Sequence, residues 1–104
     1  MNKGLEHTII QSIFEHIRSK MPTVTCHRKY VFILIDHYYL VTVAISDGLI
    51  ILTTHNYRYI PTAKIESTFE IANPNFNVAD VSQQIVNALG EIASRIEAAR
   101  RARW

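Results

Sequence analysis

Five histidines and a single cysteine are the residues of this chain best suited to metal binding, general base chemistry or nucleophilic attack. Their spacing does not assemble them. His7 and His16 are nine residues apart on a segment of helical periodicity, and at about 100° per residue they fall on opposite sides of that helix. His27, His37 and His55 lie near strand ends or in loops, with no Cys-x-x-Cys, His-Glu-x-x-His or aspartate-rich loop beside them. No metal and no cofactor are expected. Cys26 reads as a small apolar strand residue. As the sole cysteine it excludes an internal disulfide and points to the cytoplasm or another reducing intracellular compartment.

Asp36-His37, followed by Tyr38 and Tyr39, has the composition of a base with an orienting carboxylate. Adjacent strand residues point to opposite sides, however, so the dipeptide reads as a turn. Three glycines leave little material for a nucleophile elbow or a phosphate loop, and none is present. Glu66 and Glu70, four apart in an alternating segment, are expected together on the wet side of an edge strand, where acidic residues serve solubility. No catalytic residue is assigned, and the chain is not expected to be an enzyme.

Cations interleave with aromatics in Arg28-Lys29-Tyr30 and Tyr57-Arg58-Tyr59, the pattern with which single-strand binders stack bases beside a basic groove. Arg95, Arg100, Arg101 and Arg103 could add phosphate contacts. The net charge of +2 is too small to demand a nucleic acid or a membrane, and Tyr/Arg strand residues with an arginine-rich helix end form an alternative reading rather than the leading one. Trp104 either docks back on its own domain or serves as a partner-docking residue, flanked by Arg101 and Arg103.

These residues must be positioned by a single α+β domain over 1–104, since 104 residues at 48% hydrophobic and 19% charged build one core. Apolar residues at Leu5, Ile9, Ile10, Ile13, Phe14 and Ile17 predict a helix over about 3–20, ended by Pro22. An antiparallel sheet of three to five strands follows over about 23–71, rich in β-branched and aromatic residues. Asp47-Gly48 predicts a two-residue hairpin turn. Asn77 and Asp80 cap a long second helix over about 78–102. The run Tyr38 to Ile45 is too short to span a membrane as a helix, no membrane partner is expected, and the first residues lack the uninterrupted apolar core of a secretory signal.

If Asp36-His37 is also a two-residue turn, register can be followed across three strands. Tyr30, Phe32, Leu34, Tyr39, Val41, Val43, Ile45, Ile50 and Leu52 then share one face. Val31, Ile33, Ile35, Tyr38, Leu40, Leu49 and Ile51 lie on the other and are the interface candidates. Neither face is polar enough for water, so two helices on one face would leave the other to a partner. A monomer with one helix on each face is the competing arrangement. The order of helix, antiparallel sheet and long helix resembles that of small dimeric modules, including nucleoid-associated proteins and some secretion chaperones, but no motif of either group is present. The expected function is a non-catalytic interaction or assembly module, a homodimer acting as adaptor, chaperone or structural subunit of a larger complex, with a virus or mobile element as conjectured source. Another protein is a further conceivable partner.

Overall fold

The computed structural model describes residues 3–21, 24–27, 30–58 and 60–102. The protein is an α+β fold in the order α1 (Lys3–Lys20), β1 (Val24–His27), β2 (Tyr30–Leu34), β3 (Tyr39–Ser46), β4 (Leu49–Asn56), β5 (Thr62–Glu70) and α2 (Val78–Arg101). The five strands form one antiparallel meander in the order β1-β2-β3-β4-β5, so every strand pairs with its neighbour in sequence.

Local chemistry accounts for most element boundaries. Asn77, with extended φ −142° and ψ 121°, starts α2, and its Oδ1 accepts from the Asp80 N–H at 3.1 Å. Arg100 and Arg101 occupy the last turn of α2, where the helix dipole favours positive charge. Between β3 and β4, Asp47 and Gly48 have φ of 52° and 76°, the consecutive left-handed pair that matches a two-residue hairpin to the twist of its strands.

Both helices lie on the same side of the sheet. Helix α1 packs against α2 and over β1, β2 and β3. The second helix runs the length of the sheet, from the β3–β4 turn, where Asn77 and Asp80 lie beside Leu49 and Glu70, to the β2–β3 loop, where Arg100 bonds Asp36. The core between the layers is aliphatic throughout. Ile9, Ile10, Ile13 and Ile17 of α1 meet Val31, Ile33, Val41, Val43, Ile50 and Leu52 of the sheet, and Val81, Ile85, Leu89, Ile92 and Ile96 of α2 complete it. Each fully buried aliphatic side chain stabilises the fold by about 1.5–3 kcal/mol relative to exposure.

The sheet corrects the face assignment of β2. Leu34 pairs with Leu40 and the Ile35 N–H donates to the Tyr39 carbonyl at 3.0 Å, which leaves three residues, 36–38, in the loop instead of two. The cause is the Asp36 side chain. Its Oδ1 accepts from the Tyr38 N–H at 2.8 Å and the Tyr39 N–H at 3.0 Å, while Oδ2 accepts from Arg100. One added loop residue turns every side chain of β2 over. Val31 and Ile33, expected on the free face, are fully buried against the helices, and Tyr30, Phe32 and Leu34 point the other way.

A second correction concerns Glu66. Leu52 pairs with Ser67 but Thr53 pairs with Ile65, so Glu66 is the extra residue of a β-bulge. The bulge separates Glu66 from Glu70: Glu66 reaches the buried Thr54 on the helix side, whereas Glu70 pairs with Leu49 at one end of the outer face. It also places Ile65 outward, 61% exposed.

Candidate interaction surface

Among the described residues no layer covers the face of the sheet away from the helices. Antiparallel pairing puts Tyr30, Phe32 and Leu34 of β2 beside Leu40, Thr42 and Ala44 of β3. Next come Leu49, Ile51, Thr53 and His55 of β4, then Ala63, Ile65, Thr68 and Glu70 of β5. Tyr30, Leu34 and Ile65 are exposed and the central residues half-buried by their strand neighbours. Among the described side chains of these strands on this face, Glu70 alone carries a formal charge at neutral pH. An antiparallel sheet with one face in water ordinarily shows polar residues there, whereas on this face aromatic and aliphatic residues outnumber the polar Thr42, Thr53, His55, Thr68 and Glu70.

Interactions within the face hold its side chains in place. The Tyr30 and Phe32 rings lie 6.0 Å apart at 37°. His55 stacks on Tyr57 with ring centroids at 6.1 Å and an interplanar angle of 6°, and its Nε2 is 3.1 Å from Thr42 Oγ1. At the same end of the sheet the Tyr57 N–H donates to the Tyr38 carbonyl at 2.8 Å, and the Arg58 guanidinium sits 5.6 Å from the Tyr38 ring centroid. Tyr38 and Tyr57 are both half-exposed, which extends the apolar surface onto the loops.

Of the interface candidates, Leu40, Leu49 and Ile51 lie on the open face. Ile35 is half-buried against the core, Tyr38 lies in the loop at the rim, and Val31 and Ile33 are core residues. Tyr30, Phe32, Leu34 and Ile65 take their place. A signal for the β2 residues was present in composition, because the buried core uses only isoleucine, valine and leucine, and β2 alternates those with tyrosine and phenylalanine.

The nucleic-acid candidates are placed differently. Tyr57 is exposed beside His55, and Arg58 covers Tyr38. Arg100 is paired with Asp36 and with Glu97, Arg101 with Glu97 at 3.4 Å, and Arg95 with Glu66 at 2.6 Å. Arg28, Lys29, Tyr59, Arg103 and Trp104 lie outside the described residues.

The other chemistry-bearing groups described lie away from the open face. Burial alone would raise the Glu66 carboxyl, but hydrogen bonds from Arg95 and Thr54, with the charges of Arg95 and Lys64, outweigh it and hold the group below its ordinary value. Burial pushes the Cys26 thiol up, and Cys26 pairs with Val31 on the helix side. His16 Nε2 lies 3.2 Å from Gln83 Oε1, tying α1 to α2. An open concavity of about 540 Å³ lies between the ends of β4 and β5 and the start of α2, lined by Asn73, Asn75 and Asn77 among others. Two of its amide oxygens are engaged, since Asn73 Oδ1 accepts from the Asn75 N–H and Asn77 Oδ1 from the Asp80 N–H. Among the described residues no three His, Cys, Asp or Glu side chains converge as metal ligands, and no helix is long and apolar enough to cross a membrane.

The chain matches no protein-family model, and comparisons with curated proteins and with solved structures found no match.

Proposed function

We propose that this domain is a non-catalytic assembly module that pairs with a second copy of itself through the open face of its sheet. The observation that carries this reading is the placement of both helices on one side, which leaves a largely apolar face, with Glu70 at one end as its described charge, uncovered among the described residues. Five strands spaced about 4.8 Å apart and roughly seven residues long at about 3.3 Å give a face of roughly 500 Å² in projection. With the relief of its side chains and the rim tyrosines, such a face approaches the ~800 Å² that each partner contributes to a stable interface.

A second copy is the occupant favoured by charge. A two-fold contact sets each patch against itself, and a patch without like charges at its centre meets no repulsion there. Two such sheets packed about 10 Å apart would form a four-layer dimer with helices outside. An adaptor, chaperone or structural subunit has this form. Nucleic-acid binding has less support, because Arg95, Arg100 and Arg101 are engaged in ion pairs within the chain and the open face offers no described cation.

The test is the solution mass by light scattering during size exclusion at two protein concentrations. Twice the 12.0 kDa chain mass supports the reading, and a monomer at both concentrations rejects it.

A further inference from the structure

We propose that His55 makes this face-to-face pairing pH-sensitive, the neutral imidazole being accepted in the contact and the protonated one opposing it. The inference rests on the dimer reading and adds a control to the same surface. On the open face, His55 is the described imidazole, the side-chain type that can exchange a neutral for a charged form under physiological conditions. It is half-buried in the single chain, and a second sheet packed on it would remove most of its remaining water.

Among the described residues, no carboxylate pairs with His55. Opposite it stand Leu40 on β3 and Ala63 on β5, Thr42 shares its hydrogen bond, and Tyr57 stacks on its ring. Other charged groups of these strands are elsewhere. Glu66 is turned to Arg95 on the helix side, Lys64 pairs with Thr54 on that side, and Glu70 is at the far end of β5 beside Leu49. Arg58 lies over Tyr38 and adds positive charge to this end of the sheet. Association therefore desolvates an imidazolium without a carboxylate to receive it, which favours the neutral ring in the dimer. In a two-fold dimer the effect counts twice. Below the ordinary histidine range of ~6.5, the dissociation constant rises by up to tenfold per pH unit for each ring and approaches a hundredfold for both.

The experiment is a dilution series by sedimentation equilibrium between pH 5.5 and 8 on the full chain, on His55→Gln, and on His16→Gln, whose imidazole lies beside Gln83 between the helices, away from the open face. Circular dichroism at each pH confirms folding. The expected result is a dissociation constant that rises at least tenfold from pH 7.5 to pH 5.5 in the wild type and His16→Gln, and a flat profile in His55→Gln. A dimer with a flat wild-type profile, or a slope unchanged in His55→Gln, overturns the role of His55 and leaves the dimer standing. A monomer at every pH and concentration overturns both. If His55→Gln does not fold, titration of the imidazole C2 proton in the wild type decides: a midpoint lower at high protein concentration than at low supports the proposal, and an identical midpoint in a verified dimer rejects it.

Discussion

The Glu66 carboxylate on β5 and the Arg95 guanidinium on α2 meet at 2.6 Å, and Thr54 Oγ1 donates to the same carboxylate oxygen at 3.0 Å. The pair fastens the outermost strand to the helix that crosses the sheet. Glu66→Gln is expected to lower stability by about 1–2 kcal/mol, because it weakens two hydrogen bonds at a part-buried site while the exposure of Arg95 screens the charge. Glu66 titrates lower in the fold than when unfolded, so its contribution is present above the ordinary carboxylate range and is lost as pH falls through the folded value. Urea unfolding at pH 7 and pH 3 should show a clear wild-type advantage at the higher pH that shrinks at the lower.

Ile33 and Leu34 are sequence neighbours with opposite surroundings, at 0% and 59% exposure. Ile33→Ala should cost about 2–4 kcal/mol through the cavity it leaves. Leu34→Ala should cost about 0.5 kcal/mol or less in the single chain. A larger loss for Leu34→Ala than for Ile33→Ala, measured by denaturation at low protein concentration, would mean that β2 has the opposite face inward.

Ile51 lies near the middle of the open face, between Ala44 and Thr68. Ile51→Lys leaves the aliphatic core untouched and sets two like charges close together in a face-to-face pair. The expected outcome is a folded monomer at concentrations where the wild type has twice the chain mass, read by circular dichroism and light scattering.

Ser82 is fully buried in α2, and its hydroxyl has no hydrogen-bond partner among the described residues. Ser82→Ala removes that unsatisfied group and improves helix propensity, so unfolding free energy should rise by about 1 kcal/mol. Thermal denaturation reads the sign directly.

The features legible in the sequence were those that depend on neighbours along the chain. The isoleucine spacing of α1, the Asn77 cap and the Asp47-Gly48 turn each follow from a few adjacent residues. The register of β2 does not. Whether Asp36-His37 or residues 36–38 form the loop depends on Asp36, whose carboxylate is fixed partly by Arg100, 64 residues away. The bulge at Glu66 is likewise tied to Arg95 on α2, a partner that strand alternation cannot reveal. Three of the seven interface candidates, Leu40, Leu49 and Ile51, kept their face because the β3–β4 turn was readable locally. Val31 and Ile33 did not, because the preceding loop was not.

Because strands pair only with their sequence neighbours, the sheet can form progressively, while α2, which supplies much of the lid over its aliphatic side, follows all five strands in sequence. During synthesis the five strands therefore emerge after α1 and before α2. Low contact order favours rapid strand pairing, but the hydrophobic side opposite the open face stays incomplete until α2 leaves the ribosome. For that interval the polypeptide presents two sticky surfaces rather than one, so the yield of correctly folded chain should depend on how promptly α2 follows the strands.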